Sequence, residues 1–431
     1  MNYYSTSKQS PLVDFRQATI DGQAPDKGLY FPEKIPVADE ELITASESLT
    51  DEEIAFRVIR PYVGTTIPED KLRAIVREAI NFPIPIVPVN DSISSLELFH
   101  GPTLAFKDVG ARFMSRCLGH FVTYDSKKVT VLVATSGDTG GAVAHGFYGV
   151  EGVDVVILYP SGKVSDVQEK QLTTLGNNIR ALEIDGTFDD CQLMVKQAFS
   201  DETVSGKRFL TSANSINVAR WLPQQIYYFL AWKQWPDKSN PPVVSVPSGN
   251  FGNICAGLLA RQSGLPLAHM IAACNANDVV PKYMSTREFT AKPAVATLSN
   301  AMDVGNPSNF IRILELFRHY FPELEKSLTA VSITDQETRA TIKKVFKQYQ
   351  YVLDPHGAIG YLALQRYMEK NGVDKGLFLE TAHPLKFPEA LDDVTQTGIE
   401  LPEYVREILT RKKQSISMKP EYPLLRDYLL S

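Results

Sequence analysis

Residues 129–142, VTVLVATSGDTGGA, pass from an apolar run into a polar, glycine-containing turn and then into a helical pattern. The run Val129 to Ala134 predicts a buried strand, and Gly140 to Tyr148 predicts the helix that follows it. The alternation continues with strands predicted at 153–159, 179–184 and 208–211 and helices at 165–175 and 189–199. Such βαβα alternation is typical of a parallel sheet with helices on both faces.

A second series of α/β elements follows in the C-terminal half. Its members are a helix at 217–232, a strand at 243–246, a helix at 254–262 and a strand at 268–273. A proline-marked break at 235–242 precedes the first of these strands. Two such series predict two α/β domains with a cleft between them, where a cofactor is expected outside the carboxyl ends of the strands.

The regions outside the two series are less regular. The apolar residues of 42–80 predict helical structure, and a short amphipathic helix is predicted at 404–409. The stretch Asn81 to Pro88 contains three prolines, which favour no regular element. We interpret this stretch as the seam between an N-terminal region and the catalytic body.

Composition excludes several classes of protein. The 431 residues carry a net charge of −6 and are 44% hydrophobic and 22% charged, as in ordinary globular proteins. The longest basic run is Arg411 to Lys413, so neither nucleic acid nor a membrane surface is an expected partner. The sequence shows no stretch of about eighteen apolar residues and no secretion signal. The four cysteines predict buried free thiols, no spacing resembles a metal site, and we expect a cytoplasmic protein.

A candidate nucleophile, Lys107, lies in residues 100–108, HGPTLAFKD, between a Gly-Pro break and a helical pattern. The positive end of the helix dipole and burial both disfavour the ammonium form and leave more of the neutral, nucleophilic amine. Such a lysine suits Schiff-base chemistry with a carbonyl cofactor. The alternative interpretation is a solvated surface lysine in the first turn of a helix.

A candidate anion site follows the predicted strand at 243–246. Residues 247–253, PSGNFGN, form a turn with two glycines three apart, and backbone N–H groups at the helix start beyond it can bind a phosphate. The turn lacks the Gly-Lys-Ser/Thr ending of a P-loop and the third glycine of a dinucleotide fingerprint. A βα turn without a ligand is the alternative. Taken with Lys107, the cradle describes pyridoxal 5′-phosphate.

Several motifs of this chain resemble the threonine synthase family, in its longer branch known from many bacteria and from fungi. They comprise residues 24–33, 100–108, 134–142, 212–217, 247–253, 301–309 and 380–384, in the order of the family, and the resemblance runs from the first residues to about Pro388. It implies the tryptophan synthase β-like fold (fold type II of the pyridoxal phosphate enzymes), with two parallel-sheet α/β domains and an additional N-terminal segment. We place the N-terminal region at 1–95, a smaller α/β domain with the cofactor lysine at its edge at 96–212, and a larger one with the cofactor-phosphate loop at 213–431.

The resemblance also implies roles for individual residues. Lys107 holds the cofactor covalently, and Thr381, after a predicted strand at 376–380, faces its pyridine nitrogen. The cofactor-phosphate loop comprises Gly249, Asn250, Phe251, Gly252 and Asn253. The loop for the substrate carboxylate comprises Thr135, Ser136, Gly137, Asp138 and Thr139. A second phosphate site comprises Asn214, Ser215 and Arg220. The alternatives are a capped βα turn for 135–139, a helix cap with a surface arginine for 214–220, and a strand-ending threonine for Thr381.

Asp138 departs from the wider fold group, in which an asparagine contacts the ring oxygen of the cofactor. An ionised carboxylate would repel a phenolate, so the sequence leaves open which atom meets that oxygen. Two histidines, His356 and His383, are candidates for acid–base chemistry, although a structural or cofactor-packing role is the favoured interpretation for both.

The reaction implied by the resemblance converts O-phospho-L-homoserine and water into L-threonine and phosphate, by γ-elimination and β-addition of water. Two alternatives remain at this point. One is a β-eliminating lyase similar to the serine and threonine dehydratases, although their substrates carry no phosphate for a site around Arg220. The other is a non-catalytic paralogue that binds phosphorylated ligands. The expected assembly is a monomer or a homodimer.

Overall fold

The structure is a computed structural model that describes residues 1–122 and 129–431. The chain begins with a small antiparallel sheet and four helices. Its first elements are β1 (Asn2–Ser5), β2 (Val13–Asp14), α1 (Phe15–Asp21), β3 (Tyr30–Pro32), α2 (Glu40–Thr44), α3 (Asp51–Val63) and α4 (Glu69–Ala79). The helical structure predicted for residues 42–80 is therefore confirmed by α2, α3 and α4. Helix α3 begins where the side chain of Thr50 accepts a hydrogen bond from the backbone of Glu53.

The proline-rich seam contains a short strand. The next elements are β4 (Ile86–Pro88), β5 (Ile93–Glu97) and α5 (Lys107–Val122). The expectation that residues 81–88 form no regular element is wrong for β4, which pairs antiparallel with β5. The strand lies at the edge of its sheet, where a proline costs no inter-strand hydrogen bond.

The first α/β series forms as predicted. Its elements are β6 (Val129–Ala134), α6 (Asp138–Phe147), β7 (Val153–Pro160), α7 (Asp166–Thr173), β8 (Ile179–Ile184), α8 (Phe188–Ser200), α9 (Glu202–Lys207) and β9 (Phe209–Thr211). All six residues of β6 are buried, as expected for a parallel strand that is covered on both faces.

The second series is also present, with additional helices. Its elements are α10 (Val218–Trp221), α11 (Gln225–Gln234), β10 (Val243–Pro247), α12 (Gly252–Gln262), β11 (His269–Cys274), α13 (Val279–Thr286), α14 (Phe310–Leu316), α15 (Phe321–Ser327), β12 (Leu328–Ser332), α16 (Asp335–Tyr349), α17 (Pro355–Asn371) and β13 (Gly376–Glu380). The helix predicted at 217–232 is interrupted by a 3-10 turn, Leu222–Gln224, which contains Pro223.

The C-terminal tail crosses from one sheet to the other. It comprises α18 (Asp393–Gln396), α19 (Glu403–Thr410), β14 (Ile416–Met418) and α20 (Tyr422–Leu430). The five-stranded sheet has the order β14-β8-β7-β6-β9 and is parallel throughout. The six-stranded sheet has the order β12-β11-β10-β13-β5-β4 and is parallel except at β4. The tail therefore adds an edge strand to the sheet of the first series.

The two sheets and the N-terminal region share one continuous apolar core. The predicted α/β fold with two largely parallel sheets is confirmed, and we retain the division at 1–95, 96–212 and 213–431 as a proposal. The four cysteines are buried and unpaired, as predicted. Within residues 1–122 and 129–431, none of the helices has the length and apolar composition that a membrane span requires.

Candidate active site

Lys107 is the first residue of α5, so the predicted loop-to-helix junction is confirmed. The carboxylate of Asp108 fixes the preceding loop, because it accepts hydrogen bonds from the backbone N–H (2.9 Å) and the hydroxyl (2.5 Å) of Thr103. The backbone N–H of Phe106 donates to the carbonyl oxygen of Thr381 at 2.9 Å. These contacts place Lys107 beside the end of β13, where the sequence predicts the partner of the cofactor ring.

The amine of Lys107 is largely removed from water, with 16% of its side chain exposed. Burial lowers the pKa of Lys107 to about 8, although Asp138, whose Oδ2 lies 3.8 Å from Nζ, acts in the opposite direction. The positive charges of Lys386 and Arg220 lower the pKa further. The structure thus excludes the solvated surface lysine, and the lowered pKa gives Lys107 a larger share of the neutral, nucleophilic amine than an exposed lysine has.

The loop predicted to hold the substrate carboxylate connects β6 to α6. Gly137 has φ of +134° and a Cβ there would meet the side chain of Gln168 at 2.5 Å, so both the backbone and the space require glycine. The hydroxyl oxygen of Thr135 accepts hydrogen bonds from the N–H groups of Gly137 (3.0 Å) and Gly140 (2.9 Å) and so shapes the loop. Ser136 and Thr139 remain half-buried at its surface.

Asp138 has partners that the sequence analysis missed. Its Oδ1 accepts from Lys386 Nζ at 2.6 Å and from Gln168 Nε2 at 2.9 Å, and all three side chains are buried. Burial raises the pKa of Asp138, but Lys386 and Lys107 outweigh that effect and hold the pKa well below its usual range. Asp138 is therefore an ionised carboxylate within an ion pair rather than an isolated negative charge.

The predicted cofactor-phosphate loop has the geometry of an anion cradle. Phe251 adopts a left-handed conformation, with φ of +61°, immediately before α12. No side chain in the described part of the chain caps the start of this helix, so its first N–H groups are available to a ligand. A Cβ on Gly249 would meet the backbone of Met302 at 2.5 Å. The loop thus requires a glycine at position 249. An anion could supply the hydrogen-bond acceptor that no side chain provides at the start of α12.

Ser215 connects the cofactor loop to the second predicted phosphate site. Its hydroxyl oxygen accepts from Asn250 Nδ2 at 2.6 Å and from Asn309 Nδ2 at 3.2 Å. Asn250 in turn accepts from the backbone N–H of Ser308 at 2.7 Å. Asn253, at the start of α12, uses its side-chain oxygen to accept from Tyr228 at 2.6 Å. The structure thus brings the Asn214–Ser215 segment against the cofactor loop.

Arg220 is buried, with 4% of its surface exposed, which excludes the ordinary surface arginine. Its Nη1 donates to the carbonyl oxygen of Ala213 at 2.6 Å, and its buried Nε has no hydrogen-bond partner among residues 1–122 and 129–431. Over the same residues no carboxylate lies within ion-pair distance of it. Burial lowers the pKa of Arg220 to about 10, although Tyr227 and the more distant carboxylate of Asp108 act in the opposite direction. A buried cation without a counter-ion is costly, so the site is prepared for an anion.

The sequence of the chain matches three family models. They are the pyridoxal-phosphate dependent enzyme model over residues 94–381, the threonine synthase N-terminal model over 2–80 and the threonine synthase C-terminal model over 357–429. The threonine synthase of Serratia marcescens is 43% identical over 429 residues, covering 99% of this chain and 95% of that protein. The chain belongs to the threonine synthase family.

Solved structures support the same assignment. The crystal structure of threonine synthase from Escherichia coli matches with a TM-score of 0.91 and 42% identity, covering 100% of this chain and 99% of that one. The structure of PLP-bound threonine synthase from Brucella melitensis matches with a TM-score of 0.92 and 34% identity, covering 100% and 98%. This threonine synthase family member is therefore a lyase of threonine biosynthesis that uses pyridoxal phosphate. The family likeness also extends through the tail, beyond Pro388, where the sequence analysis found no motif.

The residues of this threonine synthase family member fit that cofactor. A buried lysine with a lowered pKa suits the cofactor aldehyde, and the uncapped start of α12 suits its phosphate. Asn253 Nδ2 is buried without a partner in the described residues beside that helix end. These residues would hold the cofactor between the two sheets.

Two further residues of the site were missed by the sequence analysis. Arg312, fully buried in α14, donates to the carbonyl oxygens of Ser215 (3.2 Å) and Ile216 (2.6 Å) and thereby fixes the second phosphate segment. The hydroxyl of Tyr227 donates to the carbonyl oxygen of Phe106, the residue before Lys107. An arginine in an otherwise apolar helical pattern was the available signal for Arg312, whereas Tyr227 lies in an apolar helix with no such signal.

The two candidate histidines have structural partners. His356 Nδ1 lies 2.5 Å from Asp354 Oδ1, and the imidazole packs against Phe387. His383 Nδ1 accepts from the backbone N–H of Leu385 at the start of a 3-10 turn, and burial lowers the pKa of His383 to about 4. These contacts support the structural role that the sequence analysis favours for both rings.

Proposed function

We propose that this protein converts O-phospho-L-homoserine and water into L-threonine and phosphate. The observation that carries the proposal is Arg220, a buried guanidinium group whose Nε has no hydrogen-bond partner in the described residues and whose charge acts on the amine of Lys107. A substrate with a phosphate on Cγ and an amine on Cα would match those two groups. The substrates of dehydratase-like enzymes carry no phosphate and would leave Arg220 uncompensated.

Lys107 is proposed to hold the cofactor and to carry protons. Bound pyridoxal phosphate supplies an aldehyde that takes up amines and a conjugated ring that accepts the electron pair released at Cα. Once the substrate amine has replaced it, the Lys107 amine can take a proton from Cα and exchange protons at Cβ and Cγ. The phosphate then leaves Cγ with its bonding electron pair, and water supplies the hydroxyl group to Cβ. The lowered pKa of Lys107 supports both roles.

Two anion sites are proposed to orient the substrate. Ser136, Thr139 and the backbone N–H groups at the start of α6 would bind its carboxylate, on a loop that Thr135 shapes. Arg220, with Asn214 and Ser215, would bind its phosphate through charge-assisted hydrogen bonds. Binding both ends would place the bond from Cγ to oxygen beside Lys107 and exclude water from competing positions.

Thr381 is proposed to face the pyridine nitrogen of the cofactor. It is buried at the end of β13, and its carbonyl oxygen accepts from the loop that carries Lys107. A hydroxyl group can donate a hydrogen bond to a neutral nitrogen but cannot keep it protonated as a carboxylate would. The ring is then a moderate electron acceptor, which favours elimination and addition over transamination.

The cytoplasm is the proposed compartment, supported by the four buried free thiols. A monomer or a homodimer remains the predicted assembly.

Lys107→Ala is the first test of the proposal. The purified variant should lack the absorption of covalently bound cofactor and should form no threonine from O-phospho-L-homoserine, because no other buried amine occupies its position. The assay measures phosphate and threonine, which the parent enzyme should form in equal amounts. Lys347→Ala, which replaces an exposed lysine of α16, is the control and should leave turnover unchanged.

Appreciable threonine formation by Lys107→Ala would contradict the assignment of the lysine. If the parent enzyme instead released ammonia and a 2-oxo acid from serine or threonine, and no phosphate from the phosphorylated substrate, the dehydratase-like alternative would be correct.

A further inference from the structure

Lys386 is a fully buried lysine that has no part in the reaction as proposed above. It ends the 3-10 turn Pro384–Lys386, shortly after Thr381, and none of its surface is exposed. Its Nζ donates to Asp138 Oδ1 at 2.6 Å and to the carbonyl oxygen of Thr103 at 2.9 Å. Thr103 lies in the loop that precedes Lys107, so Lys386 contacts two segments of the site.

Asp138 lies between the two lysines. Its Oδ1 pairs with Lys386 and its Oδ2 lies 3.8 Å from Lys107 Nζ. Gln168 donates to Oδ1 at 2.9 Å and adds no charge. Asp138 therefore lies between two amines, of which Lys386 is fully buried and Lys107 is largely buried.

Charges from the surrounding elements act on the same amine. Arg220 of α10 lowers the pKa of Lys107, in the same direction as burial and Lys386, whereas Asp138 raises it. Asp108 of α5 and Tyr227 of α11 act on Arg220 rather than directly on the amine. Asp138 is thus the carboxylate that favours the charged form of Lys107, and Lys386 is the cation in direct contact with that carboxylate.

A buried carboxylate next to Lys107 would by itself hold a proton on that nitrogen, because an opposite charge at such a distance favours the ionised form. The same carboxylate would repel the negative ring oxygen of the cofactor. A cation in contact with Asp138 offsets part of both effects, since the pair has no net charge.

We propose that Lys386 is a positioning residue of this active site, which acts through Asp138. Its ammonium group compensates the Asp138 carboxylate, so that the nitrogen of Lys107 and the ring oxygen of the cofactor face a neutral pair instead of a negative charge. The inference rests on the proposed role of Lys107 as the residue that holds the cofactor.

The test compares Lys386→Met, Asp138→Asn and the double variant with the parent enzyme. For each protein, the absorption spectrum of the bound cofactor is measured as a function of pH. Lys386→Met should raise the pH midpoint of the spectral change by about one unit or more, because Asp138 is then uncompensated beside Lys107. Asp138→Asn should lower the midpoint, because Lys386 is then uncompensated. The double variant should return toward the parental midpoint, which a purely structural role of Lys386 does not predict.

Lys413→Met is the matched control. Lys413 is also a partly buried lysine, paired with Glu169 at 2.6 Å and Glu183 at 2.8 Å, but it lies in the tail away from Lys107. Its removal should leave the midpoint unchanged. The proposal is overturned if Lys386→Met has the parental midpoint, or if the double variant keeps the midpoint of Lys386→Met.

If Lys386→Met does not fold, the comparison of Asp138→Asn with the double variant decides the question. Removing Lys386 from the Asp138→Asn background must raise the midpoint, and an unchanged value contradicts the proposal. Failure of the proposed function has a different signature, since Lys107→Ala would then retain the pH-dependent cofactor band.

Discussion

At the scale of single residues, the active site is defined by buried charges. Arg220 and Arg312 are both buried guanidinium groups, but their surroundings differ. Arg312 donates to four oxygens, on Tyr30, Ser215, Ile216 and Asn309, and stacks over Trp221. Among residues 1–122 and 129–431, the side chain of Arg220 makes one hydrogen bond, to the carbonyl oxygen of Ala213. The satisfied arginine supports the loop, whereas the unsatisfied one is expected to bind a ligand.

Arg220→Met should weaken use of the phosphorylated substrate and leave the cofactor spectrum normal. Loss of the charge-assisted contacts should reduce kcat/KM by about 10- to 150-fold, mainly through substrate binding. Inorganic phosphate should raise the Tm of the parent holoenzyme but not that of the variant, because only the parent has the second anion site.

Arg261→Met is the control for that measurement. Arg261 is partly buried at the far end of α12, and within the described residues its side chain donates to two neutral acceptors, the carbonyl oxygen of Leu267 and the hydroxyl of Ser327. Its replacement should retain the phosphate effect. Loss of cofactor from Arg220→Met with unchanged substrate affinity would place Arg220 in the cofactor site instead.

At the scale of secondary-structure elements, the two proposed anion sites share one arrangement of strand, loop and helix. Each follows a buried parallel strand and ends at the start of a helix, α6 for the carboxylate loop and α12 for the cofactor loop. No side chain within the described residues caps the start of α12, whereas in the first turn of α6 the hydroxyl oxygen of Thr135 accepts from the N–H of Gly140. The positive ends of both helices therefore face the cleft at the carboxyl edges of the sheets.

Gly249→Ala should reduce the affinity for pyridoxal phosphate by about tenfold or more, because the added methyl group would collide with the backbone of Met302 and displace the loop. The measurement is a titration of cofactor into the cofactor-depleted protein. Gly206→Ala is the matched control, since a Cβ at this helical glycine meets nothing within 4 Å. Equal affinity in the two variants would show that the cradle tolerates a side chain at Gly249.

At the scale of the whole molecule, the C-terminal tail connects the two sheets. It leaves the six-stranded sheet after β13, packs α19 against α7 and pairs β14 with β8 at the edge of the five-stranded sheet. Leu425 and Leu429 of α20 then enter the apolar cluster beneath α8. The tail therefore covers an edge strand that would otherwise be unpaired and fixes one sheet to the other.

Leu425→Ala should lower the stability of this attachment by about 2–5 kcal/mol, the usual cost of emptying a fully buried leucine site. Leu424→Ala removes the same atoms from the neighbouring residue, which is 41% exposed, and should change stability by less than about 0.5 kcal/mol. Thermal unfolding and the rate of proteolytic cleavage in residues 411–431 are compared. Identical behaviour of the two variants would mean that α20 contributes nothing to the attachment.

The sequence by itself predicted the order of most elements in the two α/β series and the positions of the two loops proposed to bind anions. Apolar runs of strand length, alternating with helical periods, carry that information in neighbouring residues, and β6 has the bounds predicted for it. The sequence also predicted the turns that contain Gly137 and Gly249 and the helix start at Lys107, because turn geometry and helix starts depend on local residues. The prediction of no regular structure at residues 81–88 was wrong for β4, because a proline is acceptable in a strand at the edge of a sheet.

Only the tertiary structure decided how the distant charges are paired. Asp138 stood out in the sequence as an unexplained negative charge, and its partner Lys386 is in another region of the chain. No period or spacing connects two such residues, because their contact exists only once both sheets and the turn after β13 have packed. The same holds for Arg312 beneath the phosphate segment and for β14 beside β8. Local patterns specify elements, whereas the net charge around a buried amine depends on which elements the fold brings together.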